Sequence, residues 1–337
     1  IVEMVAGTMS SGQGHETSFP QLISEWLGIP SEKIRFVAND TNRVSVGGGS
    51  HSGRSMRLVS IAAHDAVEEF LANGKEIAAR MMQAPATDVS YYDGRFTAPG
   101  GGSVDLFEVA EAAAGLEGVP NLEGVGDIVN RAGGYPYGTH VCEVEVDCKT
   151  GHFEILRWSG VDDVGRAVNP LILHGQAHGA AAQGIGQAFL EAITYDPHSA
   201  QLLSGTFMDY AMPRADNTPP FEMQIMEIPA SSHPHGIRPG GEGGTTPALG
   251  LLINAIVDAL KGATKDLLSS LKKSSAKAFG NLAKDHLLSG ATDIMVKSAQ
   301  HSIEIGKAAA EAEQAAHALS EDGEVVSTIV ATLKGLC

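Results

Sequence analysis

The chain has 337 residues, of which 43% are hydrophobic and 19% charged, so it has enough apolar material for a large core and for two or more units. Its formal net charge of −17 argues against nucleic acid or an anionic membrane as the main partner. No apolar run is long enough to span a bilayer and no signal-like segment is present, so we expect a cytoplasmic protein.

The three cysteines limit the redox and metal chemistry that this chain carries on its own. Cys142, Cys148 and Cys337 form no pair with metal-site or redox spacing, and their odd number argues against a disulfide framework. Iron–sulfur clusters usually need four cysteine ligands, so none is built from this chain alone.

The first 261 residues mix strands and helices without regular alternation. Asp93-Gly94 predicts one hairpin turn, and residues 148–151 predict another. We therefore predict an α+β fold with mixed sheets, hairpins and packed helices, rather than a doubly wound sheet. Strands are predicted over 3–8, 34–39, 88–92, 95–98, 138–147, 152–161 and 221–229, and helices over 16–27, 54–72, 105–114, 170–193 and 247–260.

A change of composition near residue 262 predicts a domain boundary. All 15 prolines lie at or before Pro247, and the later residues are rich in Ala, Leu, Lys and Ser. We predict a domain over 1–261 and an all-helical appendage over 262–337, unless the tail simply packs on the main body. Its predicted helices are 264–286, about 292–319 and 324–334.

The first glycine-rich segment, residues 7–17, links a predicted strand to a helix. It contains a Gly-x-Gly turn around Gln13, followed by His15. Free N–H groups and the helix dipole at such a corner suit a phosphate, and Gln13 adds an amide. Short glycine motifs also occur in plain strand–turn–helix corners, and that alternative stays open.

The second glycine-rich segment, residues 47–55, precedes the next predicted helix. It offers backbone donors, three hydroxyl groups and the guanidinium of Arg54. Such a set suits an anionic or strongly hydrogen-bonding ligand. Glycine and serine alone would equally favour an exposed flexible linker; Arg54 favours the ligand.

The third segment is a helix whose start is predicted by Asn169-Pro170, an N-cap followed by proline at N1. Gln176, Gln183 and Gln187 share one of its faces and are flanked by glycines. A row of amides flanked by glycine suits a flat polar ligand, and small residues equally suit close packing of two helices.

Two further groups of side chains are open to a catalytic and a structural interpretation. His174 and His178 are four residues apart, a spacing that suits zinc. No third ligand is evident, so we favour structural histidines over a zinc hydrolase. For Asp162 and Asp163, at the end of a predicted strand, we favour a satisfied turn over catalysis.

Glu242 lies in a run of glycines, Pro239-Gly240-Gly241-Glu242-Gly243-Gly244. A carboxylate framed so closely by glycine leaves room for a large ligand contacted by the backbone. Pro247 is predicted to be the first helical residue, with Thr246 as its cap, so Glu242 precedes a helix N-terminus. The alternative is a flexible loop with an ordinary exposed glutamate.

Six phrases, taken together and in order, resemble the molybdenum hydroxylases, the family of xanthine dehydrogenase, aldehyde oxidase and aerobic carbon monoxide dehydrogenase. The resemblance is to the C-terminal part of the large, molybdopterin-binding subunit and covers roughly residues 1–261. The phrases are GTMSSGQGHET, EWLGIPSEKI, DDVGRAVNP, GQAHGAAAQGIGQAFLEAITYD, GTFMDYAMPRAD and GEGGTTPALGLLINAIVDAL.

The resemblance implies that the chain binds molybdopterin cytosine dinucleotide, which holds the molybdenum without protein side chains as ligands. Glu242 is implied to be the general base that takes a proton from water or hydroxide at the molybdenum. Oxygen is then inserted at an electrophilic carbon of an aldehyde, an azaheterocycle or carbon monoxide. Pro239 departs from the family's pattern and is expected to shift Glu242 slightly. The implied cofactor contacts are Gln13, Gly14, His15, Gly48, Gly49, Ser50, Arg54, Ser55, Gln176 and Gly241.

The resemblance also implies partners. These are an iron–sulfur subunit with 2Fe–2S clusters, an FAD subunit and the N-terminal half of the large subunit, assembled as a dimer of heterotrimers. The alternative function is that of a truncated, catalytically silent relative that binds a partner protein through its helical tail.

Overall fold

The computed structural model of the chain describes residues 1–38, 40–128, 134–147 and 150–273, with side chains up to residue 261. It divides into two compact units. The first contains Ile1–Val141 and Trp158–Ala248, and the second contains Cys142–Arg157 and the described residues from Leu249 onward. Within the described residues, eight strands form three small sheets and are accompanied by five α-helices. The predicted α+β class is confirmed.

The first sheet places the first glycine-rich segment at a strand end. β1 (Val2–Ala6) and β2 (Ile34–Ala38) pair in parallel, so the chain must cross over between them, and α1 (His15–Leu27) makes that crossover. The connection from β1 to α1 is the segment with the Gly-x-Gly turn. It therefore lies at the carboxyl end of a strand and the amino end of a helix.

The second sheet is an antiparallel meander of β3 (Ser90–Tyr92), β4 (Arg95–Thr97) and β5 (Ser103–Asp105). Asp93 and Gly94 form the predicted turn, with φ of 48° and 75°, the left-handed pair that suits a hairpin. β5 was not predicted, because it follows three consecutive glycines and Val104 is its only apolar residue. It leads into α3 (Leu106–Ala113), which begins with a capping box of Asp105 and Glu108.

α2 (Ser60–Met82) follows a π-helical turn over Ser55–Val59. The predicted helix over 54–72 is ten residues too short, because Asn73-Gly74 resembles a helix end. The helix packs closely at Gly74, where an added Cβ would lie 2.5 Å from the Phe96 ring. Ile77, one turn farther on, is fully buried. These contacts keep Gly74 inside the helix. Packing therefore outweighs local propensity at this point.

The main core holds α1, α2, α3 and the meander together. Phe19, Leu22, Ile77, Phe96 and Leu106 each have 1% or less of their surface exposed and belong to one cluster of apolar side chains. Burial of such side chains is the main stabilising contribution to folding. It fixes the amino ends of α1 and α2, which border the two glycine-rich segments.

The third sheet has the order β6 (Tyr137–Val146), β7 (Phe153–Asp163) and β8 (Phe221–Met226). β7 and β8 are parallel, and α4 (Pro170–Phe189) lies between them in the chain. As predicted, Pro170 is at N1 and the side-chain Oδ1 of Asn169 accepts from the Ile172 N–H at 3.0 Å. The hairpin turn predicted over 148–151 includes two residues outside the described ranges.

α5 (Thr245–Lys273) differs from the prediction at its start and in its length. It begins at Thr245, so the predicted cap at Thr246 and first helical position at Pro247 are wrong. The Thr245 hydroxyl donates to the Ala180 carbonyl at 2.9 Å and ties this helix start to α4. The helices predicted over 247–260 and 264–286 are joined, and residue 262 lies inside α5. The helices predicted over 292–319 and 324–334 lie outside the described residues.

Across the described ranges, no helix is long and apolar enough to cross a membrane.

Candidate functional site

One pocket of the first unit brings together the four segments that the sequence singles out. Its walls are the β1–α1 connection, the loop before α2, the first turns of α4 and the segment before α5. These segments are distant in sequence, and the fold makes them neighbours. Of the eleven predicted site residues, eight line the pocket: Gln13, His15, Ser50, Arg54, Ser55, Gln176, Gly241 and Glu242.

The other three predicted residues, Gly14, Gly48 and Gly49, support the pocket from behind. Gly14 precedes α1 with φ of 68°, and a Cβ there would lie 2.6 Å from Ile172 Cδ1. A Cβ on Gly48 would lie 1.7 Å from the Arg54 guanidinium. The Gly49 carbonyl accepts from that guanidinium at 3.2 Å. At Gly14 and Gly48, any side chain would displace a residue of the pocket wall.

The first two glycine-rich segments are in backbone contact at Gly7 and Gly47. A Cβ on Gly7 would lie 2.7 Å from the Gly47 Cα, and one on Gly47 would lie 2.3 Å from the Gly7 carbonyl oxygen. Neither position has room for a side chain. These glycines therefore bring two polar loops close enough to share one ligand, which a flexible linker would not require.

A chain of hydroxyl groups runs behind one edge of the pocket. The Thr8 hydroxyl donates to the Gly49 carbonyl at 3.2 Å, Thr8 and Ser55 oxygens are 2.7 Å apart, and Ser55 and Ser50 oxygens are 2.8 Å apart. In each hydroxyl pair either oxygen can be the donor. Ser50 keeps at least one free lone pair in either arrangement, so this edge suits a ligand that donates hydrogen bonds.

His15 lines the pocket and contains a buried polar atom that is unsatisfied among the described residues. It is the first residue of α1, and its Nδ1 is buried without a hydrogen-bond partner in the described structure. Burial, partly opposed by the Glu16 carboxylate, lowers the pKa of His15, so its ring is neutral near pH 7. A buried nitrogen without a partner costs free energy, which a ligand at this wall can recover.

The start of α1 adds further donors to the same wall. Its N-cap residue is Gly14, whose lack of a side chain means that no side-chain cap occupies the first turn. The Thr17 and Ser18 N–H groups bond to the Gly14 carbonyl, so the donors that the first turn can offer are the His15 and Glu16 N–H groups. The amino end of α1 therefore meets the pocket without a competing cap, the arrangement that favours a phosphate.

Glu242 reaches the pocket from the segment before α5. Its Oε1 accepts from the Ser52 backbone N–H at 3.0 Å, and its side chain is exposed. Gly241 beside it faces Gln176, since a Cβ on Gly241 would lie 3.3 Å from the Gln176 Nε2. The carboxylate and the Gln176 amide therefore belong to one polar patch of the pocket wall.

Asp162 and Asp163 are structural in this arrangement, as we favoured. Asp163 Oδ1 accepts from the Gly165 and Ile228 N–H groups, each at 3.0 Å, and its Oδ2 pairs with Arg238 at 3.1 Å. Arg238 itself lines the pocket. Asp163 thus ties the end of β7 to the segment that leads to Glu242.

Asp162 belongs to a separate buried network. Its Oδ1 lies 3.1 Å from His140 Nε2, and the Trp158 indole donates to His140 Nδ1 at 3.1 Å. Because Nδ1 accepts, the neutral His140 carries its proton on Nε2 and donates to Asp162. All three side chains are buried, so they secure the third sheet beneath the pocket segments.

Sequence reasoning missed the apolar wall of the pocket and two of its arginines. Arg166 forms an ion pair with Glu25 of α1, and Arg238 pairs with Asp163. The apolar wall includes Met56, Val164, Val168, Ile172, Leu173 and Ile237. Their position in the sequence could have identified the two arginines, because each adjoins one of the segments already singled out.

The row of amides on α4 is only partly used. Gln176 lines the pocket, whereas Gln183 and Gln187 are exposed and do not. Gly184 serves close helix packing, because a Cβ there would lie 2.3 Å from the Ala248 Cβ. The interpretation as a flat ligand site therefore applies to the first turns of α4, and helix packing accounts for the glycine farther along.

A zinc site at His174 and His178 is not supported. Their ring centroids are 6.3 Å apart, and the His178 ring packs on Phe221 with centroids 5.7 Å apart. In the part of the chain that the structure describes, no group of three or more His, Cys, Asp or Glu side chains could hold a metal ion.

Comparison with known proteins gives a family match over most of the chain. Residues 1–219 match the molybdopterin cofactor-binding domain. The carbon monoxide dehydrogenase large chain of Hydrogenophaga pseudoflava is 33% identical over 260 residues, which are 75% of this chain and 32% of that protein. Subunit gamma of the 6-hydroxypseudooxynicotine dehydrogenase complex of Paenarthrobacter nicotinovorans is 35% identical over 77% of this chain and 33% of its own length.

Solved structures agree with the sequence matches. The copper- and molybdenum-containing carbon monoxide dehydrogenase in its carbon monoxide-reduced state superposes with a TM-score of 0.67 at 31% identity, covering 76% of this chain and 33% of that one. Quinoline 2-oxidoreductase from Pseudomonas putida 86 gives a TM-score of 0.66 at 28% identity, covering 77% and 34%. The chain therefore spans about a third of the length of the relatives it matches.

Proposed function

Because the chain belongs to the family of molybdopterin cofactor-binding domains, we propose that it is the part of a molybdenum hydroxylase large subunit that supplies the catalytic base. The observation that carries the proposal is the convergence of the glycine-rich loops, the start of α4 and Glu242 on one pocket. The reaction class is insertion of a water-derived oxygen at an electrophilic carbon of an aldehyde, an azaheterocycle or carbon monoxide.

The pocket's chemistry fits a phosphorylated pterin, and we assign the cytosine dinucleotide form. The unpartnered His15 nitrogen and the free lone pair of Ser50 suit the N–H groups of a pterin or a base. The amino end of α1 and the Arg54 guanidinium suit its phosphates. The remaining predicted contacts are Gln13, Gly14, Gly48, Gly49, Ser55, Gln176 and Gly241.

Glu242 acts as the general base in this proposal. The bound cofactor supplies the two-electron acceptor, so the protein need not supply a nucleophile. The carboxylate lines the pocket and is held at Oε1 by the Ser52 N–H, which leaves Oε2 as the oxygen that takes the proton from water. His174 and His178 of α4 and the structural Asp163 have no step in this reaction.

The proposal extends to partners. With three cysteines the chain cannot supply the four ligands of an iron–sulfur cluster, so we place 2Fe–2S clusters and FAD on partner subunits in a dimer of heterotrimers. Residues 1–261 are then the cofactor-binding domain beside the N-terminal half of the large subunit. The helical tail that we propose over 262–337 would begin inside α5, and its residues 274–337 lie outside the described ranges.

Cofactor analysis of the intact enzyme that contains this chain tests the assignment. We expect equimolar molybdenum, pterin and, after acid hydrolysis, cytidine monophosphate. Gln176→Ala should lower the molybdenum and pterin content. Gln183→Ala, at an exposed position of the same helix outside the pocket, should not. Absence of pterin would refute the family function for this chain, and a different nucleotide would refute the cytosine form.

A further inference from the structure

A tight turn in the second glycine-rich segment touches the segment of Glu242. The Arg54 N–H donates to the His51 carbonyl at 3.0 Å and closes a four-residue turn. Its central residues, Ser52 and Gly53, have φ of 52° and 60°. Two successive left-handed residues are the mark of a type I′ turn. A serine is uncommon in this region of backbone conformation, so the surrounding contacts must hold the turn.

Those contacts come from the residues just before Glu242. A Cβ on Gly53 would lie 2.2 Å from the Pro239 Cβ and 3.2 Å from its Cα and Cγ. Pro239 is buried, and its ring fixes the backbone three residues before the carboxylate. The same turn directs the Ser52 N–H to Glu242 Oε1 at 3.0 Å. The turn therefore contacts this segment at two points, Pro239 and Glu242.

We propose that the Ser52–Gly53 turn and Pro239 form a positioning device for Glu242. The Pro239 ring packs on Gly53 and sets the distance between the two segments, and the Ser52 N–H then fixes the carboxylate in the pocket. A hydrogen bond to an ionised acceptor is stronger and more directional than one between neutral groups. Pro239, which departs from the family's pattern, has a defined partner here. The effect on turnover rests on the proposed function; the contact itself does not.

Hydrogen exchange of the Ser52 amide in the full chain tests the contact directly. Gly53→Ala should speed this exchange by about tenfold or more, because a Cβ cannot fit against Pro239 and the bond to Glu242 is lost. Gly118→Ala is the matched control, since Gly118 has φ of 74° with nothing within 4 Å of an added Cβ. It carries the same backbone strain and should leave the Ser52 amide unchanged.

Four further variants separate the hydrogen bond from the packing. Glu242→Gln should keep the Ser52 amide protected, because the amide oxygen still accepts, and Glu242→Ala should expose it. Ser52→Gly should retain protection, since glycine keeps the N–H and accepts a positive φ. Pro239→Gly removes the ring that sets the distance between the two segments, so it should also speed exchange of the Ser52 amide. Wild-type exchange in Gly53→Ala or in Glu242→Ala would overturn the device.

Turnover of the assembled enzyme, expressed per molybdenum, tests the consequence. Gly53→Ala should lower kcat by about tenfold or more with little change in KM, because a small displacement of a catalytic group is costly. Faster Ser52 exchange with unchanged kcat would overturn the positioning role. Wild-type turnover in Glu242→Gln would instead refute the base assignment and leave the exchange results standing.

Discussion

Individual residues of the pocket were predictable from the sequence where the adjacent residues indicate a ligand site. Glu242 and Gln13 are framed by glycines, and that local signal survives in the structure. Arg166 and Arg238 were missed because their positions in the pocket depend on ion pairs with residues far away in the chain. Arg166 pairs with Glu25, and Arg238 pairs with Asp163. The unsatisfied His15 nitrogen was also beyond sequence, since burial is a property of the packed protein.

Substitution of His15 should raise the stability of the cofactor-free chain and weaken binding of the cofactor. His15→Leu removes a buried nitrogen that lacks a partner, so the cofactor-free chain should become more stable by about 1 kcal/mol. The same change should lower the cofactor content of the assembled enzyme. Denaturant unfolding and molybdenum analysis measure the two effects. A less stable cofactor-free variant would mean that the nitrogen is satisfied in solution.

His233 should make the chain sensitive to acid. Its Nδ1 accepts from the His235 and Ile237 N–H groups, and its Nε2 lies 2.8 Å from the Arg57 carbonyl. The neutral ring therefore carries its proton on Nε2. Burial lowers the pKa of His233, and burial with the neighbouring His64 lowers the pKa of His235.

The sign of the effect follows from these directions. The unfolded state takes up protons below the ordinary histidine value of 6.5, whereas the folded state resists them, so stability falls as the pH drops below about 6.5. His233→Asn keeps an acceptor without a titrating ring, so unfolding free energy should depend less on pH from 7 to 5. His198→Asn, at an exposed site, is the control. An unchanged slope in His233→Asn would contradict this interpretation.

At the scale of elements, existence and type were more predictable than ends. Periodicity located α1 to within one residue, because Gly14 and Gly28 delimit it. α2 extends beyond its predicted carboxyl end, because tertiary contacts bury Ile77. α5 begins before its predicted start, because the Thr245 hydroxyl bonds to the Ala180 carbonyl of α4. β5 was missed because it follows a run of glycines and has a single apolar residue, Val104, whereas the equally short β3 and β4 contain aromatic residues beside a turn.

The contact between α4 and α5 should depend on the absence of a side chain at Gly184. Gly184→Ala would place a Cβ 2.3 Å from the Ala248 Cβ and should destabilise the chain by about 1–3 kcal/mol. Gly179→Ala is the matched control, because nothing lies within 4 Å of an added Cβ there, and it should stabilise by up to about 1 kcal/mol. Denaturant unfolding compares them; equal effects would show that the helices do not pack this closely.

At the scale of the whole molecule, the site is a product of the fold of the first unit. Segments near residues 13, 50, 176 and 242 share one pocket, and no local pattern predicts that they meet. The chain is strongly acidic, with a formal charge of −17, but backbone N–H groups and the arginines of the pocket wall supply positive potential that suits the phosphates of the proposed cofactor. Resemblance to a family supplied what local reasoning lacked, the identity of a ligand large enough to touch all four segments.

Turnover of the Glu242→Gln enzyme, assembled with its partners and compared at equal molybdenum and pterin content, tests the proposed chemistry most directly. Glutamine keeps the shape and the hydrogen bond from Ser52 but cannot accept the proton, so kcat should fall by about 10²–10⁴-fold while the cofactor stays bound. Wild-type turnover in this variant, at full molybdenum occupancy, would show that Glu242 is not the base.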